Sequence, residues 1–545
     1  MQELRRAIAA TVKELYGLDY EPILTRPTPE FGDYATNAAM QLANEFATNP
    51  QVIAEELATK IAESDDVKSA AVAGPGFINI RLHDKALLTL MDARPQQTLK
   101  GQEILVEFGD PNPFKEMHIG HLYSYIVGES LCRLLESQGA EVERLSYHGD
   151  VGLHVAKALW GMRHNKAGDI GSYYQAGAKA YEEDVDAKSE IEVLNDQIYQ
   201  KDDSIKTLYE KGKTESFEEF DKILKLLGIH TDKRYLESDS AEAGQAMVEA
   251  NIGKVFEKSD GAIVYKGEQD GLHTRVFITS KGLPTYEAKD LGLAELKDKD
   301  YPKASRSIII TANEQAEYFK VMLAALAKIK PEIAGKTTHL YHGFVNLSTG
   351  KMSSRRGEVF SAQKLIDDVA AAFTQAFTGE NQAIELGAIK YGFLKHRLGQ
   401  DIIYNPAETV SLDGDSGPYL QYAQARARSI LSRAALRHSS EGRNPKNKMD
   451  PDLRRDDKSL EDGERDLARK IGEFAELIEL AASELLPSHI CTYLYELSQE
   501  FNRFYEKNRV LDNPRQTIRL RLVEAYANNL KNGLELLNIE APDKV

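Results

Sequence analysis

Residues 104–121 have the sequence ILVEFGDPNPFKEMHIGH, which predicts a strand, a turn and the start of a helix. The apolar run Ile104–Phe108 is bounded by glycines and is typical of a strand. The prolines at 111 and 113 cannot continue that strand. Beyond His121, apolar residues recur at helical spacing as far as the stop residue Gly139. The segment His118-Ile119-Gly120-His121 therefore lies where a strand hands over to a helix.

The start of a helix is a phosphate-binding position, because free backbone N–H groups and the positive end of the helix dipole point the same way. His118 and His121 are three residues apart, so they share a helix face and can donate to the same phosphates. Gly120 lets a flat ring approach the backbone. A histidine at a helix start can equally be a cap or a surface donor, and this motif alone leaves both interpretations open.

A second motif lies far along the chain, at residues 348–357, with the sequence STGKMSSRRG. A glycine-bounded loop with one lysine and two arginines is suited to hold a leaving pyrophosphate. Taken alone, this loop could also be a solvated basic turn. Its position in the chain, after the histidine motif, favours the interpretation as a pyrophosphate-binding loop.

Together, the two motifs resemble the signature of class I aminoacyl-tRNA synthetases, and the chain resembles arginyl-tRNA synthetases over nearly its whole length. The resemblance implies an α/β fold: a Rossmann-like, doubly wound parallel-sheet catalytic domain, an N-terminal α+β appended domain and a C-terminal all-α anticodon-binding domain. It implies an arginine–tRNA ligase. ATP would activate L-arginine to arginyl-adenylate, and the arginyl group would pass to the 2′-hydroxyl of the 3′-terminal adenosine of tRNA(Arg). Magnesium is expected with ATP.

The composition is that of a globular protein. The 545 residues predict three or four domains, and the 42% hydrophobic and 28% charged residues fit a sizeable core. No apolar run approaches membrane-spanning length, and no signal peptide is evident. With only two cysteines, a reducing cytoplasm is the expected location. The net charge of −17 argues against indiscriminate nucleic-acid binding but allows a structured RNA to dock on local basic patches.

Four regions are predicted. Residues 1–97 form the appended domain, 98–365 the catalytic domain with a charged helical insertion at about 165–216, 366–412 a connecting helical region that contacts the tRNA stem, and 413–545 the anticodon-binding domain. In the first region, Asp33 is expected to cap a helix through Ala38, and residues 74–82 alternate like an edge strand. Without the resemblance, this region could be a small packing domain.

Further strands are predicted after the first one. Residues 142–147 form the second strand, and residues 262–265 and 275–278 are expected to resume the sheet after the insertion. The β-branched run 307–310 is consistent with a buried parallel strand. Gln315 follows it closely and lies near a strand's carboxyl end, where ligand groups gather in open α/β sheets.

The resemblance also implies contacts for each substrate. The expected arginine-binding residues are Glu107, Asn112, Tyr286, Asp290 and Gln315. Asp290 would grip the guanidinium, and Glu107 with Asn112 would form the α-amino site or its surroundings. Glu107 could instead be a buried charge paired with a neighbour, and Tyr286 could be core packing. The expected tRNA-binding residues are Phe31, Tyr34, Asn37, Tyr422 and Arg426.

The expected ATP-binding residues are His118, Gly120, His121, Lys351, Met352, Ser353 and Arg355. Of these, His118, His121 and Lys351 are also expected to be catalytic. One departure from the family pattern is Ser354, which stands where class I loops usually carry a lysine. Arg355, Arg356 or Lys115 could supply the missing cation. Many arginyl enzymes carry a lysine just before the histidine motif, so the resemblance favours Lys115 as a further catalytic residue.

A second departure is Gly109-Asp110, where residues such as Ser-Ala are more familiar. Near ATP, the Asp110 carboxylate would have to bind magnesium, pair with Lys115 or point away. Two alternatives to the ligase share part of the pattern. Small nucleotidyltransferases share the histidine motif but lack an RNA-binding helical tail, and a silent synthetase relative would be favoured only by Ser354 and Asp110. The family is usually monomeric, so a monomer is expected.

Overall fold

The computed structural model describes residues 2–165, 167–347, 360–377, 379, 381–440 and 459–542. An α+β domain comes first in the chain. Its elements are α1 (Gln2–Tyr16), β1 (Leu24–Thr25), β2 (Tyr34–Thr36), α2 (Ala38–Phe46), α3 (Pro50–Ile61), β3 (Val67–Ala73), β4 (Phe77–Leu82) and α4 (Asp84–Leu90). The four strands form an antiparallel sheet in the order β1-β2-β4-β3. Ile8 and Val12 of α1 are buried in the core of this domain.

Two predictions for this domain are wrong. β4 is an inner strand, bonded to both β2 and β3, because alternation of side chains does not distinguish an edge from an inner strand. Asp33 does not cap α2, which begins at Ala38 after Asn37. The Asp33 carboxylate instead accepts a hydrogen bond from the backbone N–H of Leu82 at 2.7 Å.

The catalytic domain alternates strands and helices. Its elements are β5 (Glu103–Glu107), α5 (Ile119–Ser137), β6 (Glu141–His148), α6 (Leu153–His164), α7 (Ile170–Glu183), α8 (Val185–Tyr199), α9 (Asp203–Leu227), β7 (Lys233–Leu236), α10 (Glu237–Ala250), β8 (Glu257–Ser259), β9 (Ala262–Tyr265), β10 (Arg275–Ile278), α11 (Tyr286–Asp300), β11 (Arg306–Ala312), α12 (Ala316–Ile329), α13 (Pro331–Lys336) and β12 (Thr337–His342).

Five of these strands form a parallel sheet in the order β12-β11-β5-β6-β7, which confirms the doubly wound catalytic fold. The sheet grows from β5 toward β6 on one side and, later in the chain, toward β11 on the other. The chain therefore reverses its direction of growth beside β5, and ligands of open α/β sheets bind at such a reversal. The prediction that residues 262–265 and 275–278 resume this sheet is wrong. They form β9 and β10, which pair with β8 in a separate antiparallel sheet.

The remaining elements are mostly helical. They are β13 (Val345–Leu347), α14 (Ala362–Ala376), α15 (Gln382–Leu394), β14 (Ile402–Tyr404), α16 (Pro406–Thr409), α17 (Gly417–Ser440), α18 (Asp462–Ile471), α19 (Phe474–Glu484), α20 (Ser488–Lys507) and α21 (Gln516–Leu536). The predicted border at 365 falls inside α14. One hydrophobic core joins α5 to these helices, and Ser130 Oγ of α5 donates to the carbonyl of Leu536 at 3.0 Å. The C-terminal helices thus support the back of the helix that carries the histidine motif.

Candidate active site

The chain leaves β5 through Gly109, which the local packing requires. A Cβ atom at this position would lie 2.2 Å from the ring of Tyr125, and the backbone has a positive φ of 91°. Ser124 Oγ accepts the Gly109 N–H at 2.9 Å and donates to the carbonyl of Ile310 in β11 at 3.2 Å. The helix after the turn therefore ties the ends of two neighbouring strands together, which brings the start of α5 to the sheet reversal.

His118 is the N-cap of α5. Its Nδ1 accepts the backbone N–H groups of Gly120 at 3.1 Å and His121 at 3.4 Å, while Nδ1 of His121 accepts the N–H of His118 at 3.3 Å. This is a capping box built from two histidines. The two rings stack with centroids 3.5 Å apart. A Cβ atom at residue 120 would lie 3.0 Å from the His118 ring, so glycine leaves that ring room.

Both histidine rings are uncharged, yet each can still donate a hydrogen bond. Burial and the nearby Lys115 lower the pKa of His118 to about 4, and burial beside His118 holds the pKa of His121 well below its usual range. Both rings are therefore neutral at neutral pH. Because each Nδ1 accepts a backbone N–H, each Nε2 carries the proton. The cap and donor interpretations are thus compatible: one nitrogen caps the helix and the other can donate to a ligand.

The chain that follows the second motif returns to the first. Ile119 N–H donates to the carbonyl of Phe360 at 3.1 Å, and Ala362 N–H donates to the carbonyl of Met117 at 2.8 Å. Upstream of the motif, β13 pairs in parallel with β14. The predicted residues Lys351, Met352, Ser353 and Arg355 lie outside the described residues, as do Ser354 and Arg356. The chain nevertheless leaves this segment beside His118.

Lys115 lies on the turn between β5 and α5. Its ammonium stands 4.8 Å from the centre of the Tyr174 ring, a cation–π contact with a helix of the insertion. Partial burial lowers the pKa of Lys115. The insertion also holds the same turn at Phe114, whose N–H donates to Ser216 Oγ at 2.8 Å. Helices α7 and α9 thus brace the turn that carries this cation.

Asp110 adopts the left-handed region, with a φ of 52°. Its Oδ1 accepts the backbone N–H of Tyr147 in β6 at 2.7 Å. Burial, and then the nearby Glu107, raise the pKa of Asp110 well above its usual range. Of the three roles considered for this side chain, the observed contact matches the one in which it points away to the neighbouring strand.

Asp290 is buried on α11, one helical turn after Tyr286 at the helix start, as predicted from their spacing. Its Oδ2 accepts a hydrogen bond from the hydroxyl of Tyr318. Burial raises the pKa of Asp290 to about 8, with a further contribution from Glu107. Among the residues that the structure describes, no basic side chain forms an ion pair with Asp290. A bound cation would supply what this carboxylate lacks.

Glu107 has a different environment, because Lys297 Nζ donates to its Oε2 at 2.8 Å and both side chains are buried. This matches the alternative of a buried charge paired with a neighbour. Asn112 lies close by, and its Oδ1 accepts the Gly149 N–H at 3.0 Å. Glu107 is thus held by a helix of the same domain, and Asn112 holds the chain directly after β6.

The other two residues predicted to bind arginine, Tyr286 and Gln315, are exposed. Tyr286 is 63% exposed, so it is not core packing, and Gln315 is also exposed, directly before α12. Sequence reasoning missed a buried pair here: Lys289 Nζ donates to Glu237 Oε2 at 2.6 Å, and the same ammonium lies 5.3 Å from the Tyr286 ring. It also missed Tyr318, although the three-residue spacing from Gln315 on a helix could have suggested it.

The residues predicted to bind tRNA fall into two groups. Phe31 is 57% exposed and Tyr422 is 50% exposed, and Arg426, one turn after Tyr422 on α17, stacks over the Tyr505 ring at 4.8 Å. Asn37 is partly buried. The prediction for Tyr34 needs correction: its side chain is buried, and its hydroxyl is bonded to Arg26 and Glu476, so it offers no surface to RNA in this structure.

Comparison with known proteins follows the same three-part division. Family models match consecutive parts of the chain: the arginyl tRNA synthetase N-terminal domain at residues 2–82, the catalytic domain of class I (R) tRNA synthetases at residues 84–404, and the DALR anticodon binding domain at residues 420–545. The second model alone covers more than half of the chain.

Whole proteins agree with these family models. The chain is 27% identical to an arginine–tRNA ligase of Porphyromonas gingivalis, with 100% of both chains covered. It is 30% identical to an arginine–tRNA ligase of Treponema denticola, covering 95% of this chain and 93% of that one. The solved arginyl-tRNA synthetase of Thermus thermophilus superposes with a TM-score of 0.84 at 26% identity and full coverage of both chains. The predicted family and function are confirmed: the chain belongs to the arginyl-tRNA synthetases, the class I arginine–tRNA ligases that use ATP.

Proposed function

We propose that arginine and ATP bind side by side at the carboxyl ends of β5 and β11, with Asp290 as the guanidinium ligand. The observation that supports this most is the buried Asp290 carboxylate, whose pKa is raised to about 8 and whose hydrogen-bond partner is the neutral Tyr318. A planar guanidinium can donate hydrogen bonds to both carboxylate oxygens at once, and ionisation of Asp290 then costs less free energy. Tyr286 and Gln315 line the open side, and Glu107 with Asn112 surround the α-amino group.

The ATP phosphates are proposed to meet the start of α5. The Nε2–H groups of His118 and His121 donate to them, and the adenine ring lies against Gly120. Lys115 supplies the cation that Ser354 cannot, and Lys351 receives the departing pyrophosphate with Met352, Ser353 and Arg355 beside it. The neutral rings favour this role, because a donor that does not titrate holds a phosphate equally well across the physiological range of pH.

The proposed chemistry has two steps. An arginine carboxylate oxygen attacks the α-phosphorus, the bond to the β-phosphate oxygen breaks, and pyrophosphate leaves. The 2′-hydroxyl oxygen of the terminal adenosine then attacks the arginyl carbonyl carbon, the bond from that carbon to the phosphate oxygen breaks, and AMP departs while the hydroxyl proton passes to a phosphate oxygen of the leaving AMP. In the first step, positioning and charge stabilisation do the work, because no side chain has to take a proton from a carboxylate that is already ionised.

Magnesium is proposed to arrive as part of the ATP substrate. Among the described residues, no group of three or more carboxylate, histidine or cysteine side chains could hold a metal ion. Mg²⁺ is usually bound through substrate phosphates with few protein ligands, which fits such a site. We assign no step of the reaction to a residue acting through the metal.

The tRNA is proposed to contact two separate surfaces. Phe31 and the partly buried Asn37 would meet the outer corner of the tRNA, and Tyr422 with Arg426 would meet the anticodon end. An exposed aromatic ring can stack on an unpaired base, and the Arg426 guanidinium, 4.8 Å from the centre of the Tyr505 ring, can bond to phosphate or base edges. Tyr34 is left out of this proposal because it is buried.

Two further properties are proposed together. Cys132 and Cys491 are both free and buried, which fits a reducing cytoplasm. Within the part of the chain that the structure describes, no helix has the length and apolar character needed to cross a membrane. We also propose that the enzyme acts as a monomer, a state that sedimentation of the purified protein with and without tRNA would check.

The decisive experiment is arginine-dependent exchange between ATP and pyrophosphate, measured with and without tRNA(Arg). Exchange that requires tRNA would support the proposed site and show that RNA completes it. Exchange without tRNA would show that the site is assembled beforehand. If neither condition gives exchange, with lysine and cysteine also inactive as substrates, the proposed roles fail and Ser354 and Asp110 become the first suspects.

A further inference from the structure

The segment Glu30–Asn37, with the sequence EFGDYATN, divides into two parts that face opposite ways. Phe31 is exposed at 57%, whereas Asp33 and Tyr34 are exposed at only 2% and 1%. Gly32 makes the division possible, since a Cβ atom there would lie 2.8 Å from the carbonyl oxygen of Ile80 and φ is +127°. The two buried side chains point away from Phe31, toward the C-terminal helices α18 and α19.

Asp33 bonds to the far end of the chain through Arg465 of α18. Arg465 Nη2 donates to Asp33 Oδ2 at 2.6 Å and to the carbonyl of Leu82 at 3.0 Å, and Nη1 of the same guanidinium pairs with Asp84. Arg469, one turn further along α18, donates to the carbonyl of Pro27. Two arginines of the C-terminal domain are thus held by four partners in the N-terminal domain, namely the carboxylates of Asp33 and Asp84 and the carbonyls of Leu82 and Pro27.

Tyr34 makes a second junction, with α19. Its hydroxyl donates to Glu476 Oε1 at 2.5 Å and accepts from Arg26 Nη2 at 2.5 Å. Arg26 in turn grips Glu476 with two bonds of 2.9 and 3.0 Å and lies 4.3 Å above the Tyr34 ring. The guanidinium also donates to the carbonyl of Gly472 at 3.2 Å. Burial raises the pKa of Tyr34, so its proton stays in place to bond with Glu476.

We propose that Asp33 and Tyr34 are positioning residues that lock the N-terminal domain onto the C-terminal helices, so that one rigid tRNA-binding surface results. Buried ion pairs add little net stability over well-packed apolar residues, but bidentate pairs between arginine and a carboxylate fix direction. Domains of one chain move relative to each other unless their interface prevents it. When the angle between the two RNA-binding surfaces is fixed beforehand, none of the free energy of tRNA binding is lost in ordering the two domains.

This proposal rests on the tRNA contacts proposed above for Phe31, Tyr422 and Arg426. It goes beyond them, because neither Tyr34 nor Glu476 touches RNA in it. Both act through the angle between domains. Phe31, on the same segment but facing outward, serves as the matched comparison, since its replacement removes a contact without loosening the junction.

The test is steady-state aminoacylation by the full-length enzyme with Tyr34→Phe, Glu476→Gln and the double variant. Tyr34→Phe removes the hydroxyl that lies between Arg26 and Glu476, and Glu476→Gln removes the negative charge that pairs with Arg26. We expect KM for tRNA to rise about tenfold in each, while kcat and the KM values for arginine and ATP stay within about twofold. The double variant should be impaired less than the sum of the two single effects, because both changes act on the same cluster of Arg26, Tyr34 and Glu476.

Three results would overturn the proposal. If Tyr34→Phe raises KM for tRNA and Glu476→Gln does not, Tyr34 touches RNA directly. If both changes leave KM for tRNA unchanged while Phe31→Ala raises it, the RNA contact is real but the lock is not needed. If kcat and all KM values change together, the role is merely structural.

Failure of the proposed tRNA contact is recognised separately, by a Phe31→Ala variant with wild-type KM for tRNA. Should Glu476→Gln fail to fold, Arg465→Lys tests the other junction. Lysine keeps the positive charge but cannot bond to Asp33 and Asp84 through two separate nitrogens, as the guanidinium does. We expect the same rise in KM for tRNA, without loss of kcat. An Arg465→Lys variant with wild-type KM would contradict the lock.

Discussion

The carboxylate of Glu107 lies 2.8 Å from the ammonium of Lys297, and both side chains are buried. Replacing Glu107 with Gln leaves a buried charge without its partner. We therefore expect the free energy of unfolding to fall by about 3 kcal/mol, as measured by denaturant titration. The double variant Glu107→Gln, Lys297→Met should recover part of that loss, because it removes the orphaned charge.

The same pair distinguishes two roles for Glu107. If its carboxylate also contacts the α-ammonium group of arginine, Glu107→Gln should strongly raise KM for arginine in addition to lowering stability. A clear loss of stability, with a smaller effect on KM, would assign Glu107 to the surroundings of that group.

Asp290→Asn is expected to raise KM for arginine by about 10- to 100-fold, because a charge-assisted hydrogen bond becomes a neutral one. The amide keeps the size of the side chain, and its oxygen can still accept from Tyr318. Binding of ATP should be unchanged, which equilibrium dialysis with ATP alone would check. Unchanged arginine affinity in this variant would exclude Asp290 as the guanidinium ligand.

The pH dependence of arginine binding follows from the same carboxylate. The pKa of Asp290 is raised from 3.8 to about 8, so the ligand-free folded enzyme holds this proton more tightly than the unfolded chain does. Its stability should fall as pH rises from about 4 to about 8, and the loss should level off above the folded pKa. A bound guanidinium favours the ionised form, so arginine binding should release a proton near pH 7.

Two measurements check this prediction. KM for arginine should fall as pH rises from 6 to 8.5, and titration calorimetry in buffers of different ionisation enthalpy should report the released proton. Asp290→Asn should show neither effect. A proton count of zero in the wild-type enzyme would mean that Asp290 is already ionised before arginine arrives.

His118 offers a way to separate capping from phosphate binding. Asn is a good N-cap, so His118→Asn should keep the melting temperature, whereas His118→Ala should lower stability by about 1 kcal/mol. Both variants lack the Nε2 donor, and both should slow pyrophosphate exchange by about 100-fold. If His118→Asn exchanges at the wild-type rate, the ring serves only as a cap.

Lys115→Ala should slow adenylate formation by about 100-fold if Lys115 supplies the cation missing at Ser354. The matched control changes the Tyr174 ring, which contacts the Lys115 ammonium. Tyr174→Phe keeps the cation–π contact and should leave the rate of adenylate formation nearly unchanged. Tyr174→Leu removes the contact and should lower that rate in part. In a Lys115→Ala background, Tyr174→Leu should have no further effect. A wild-type rate for Lys115→Ala would move the role to Arg355 or Arg356.

Local sequence patterns predicted the elements that carry the site. The β-branched run at 307–310 and the proline-terminated run at 104–108 became β11 and β5, because hydrophobic patterning and turn chemistry are local signals. The start of α5 at Ile119 followed from the same kind of signal. Local patterning did not separate the two sheets, so β9 and β10 were assigned to the wrong one.

The partners of buried polar groups could not be predicted in this way. Glu107 and Lys297 are 190 residues apart, and Asp290 and Tyr318 are 28 apart, so no periodic pattern links them. The family resemblance of the segment EFGDYATN implied an RNA contact for Tyr34. Its burial depends on Glu476, which lies 442 residues away. The family resemblance supplied the site residues, and tertiary contacts decided which of them face solvent.

The junction between the two ends of the chain has a consequence for synthesis. Asp33 can pair with Arg465 only after the chain has grown by a further 432 residues. At about 5 to 20 residues per second, the ribosome needs roughly 20 to 90 s to deliver that partner. During this interval, the N-terminal domain carries Asp33, Tyr34 and Asp84 without their final partners. Domain closure should therefore be a late folding event, and stalled nascent chains that end before residue 465 should be more open to proteolysis than the released enzyme.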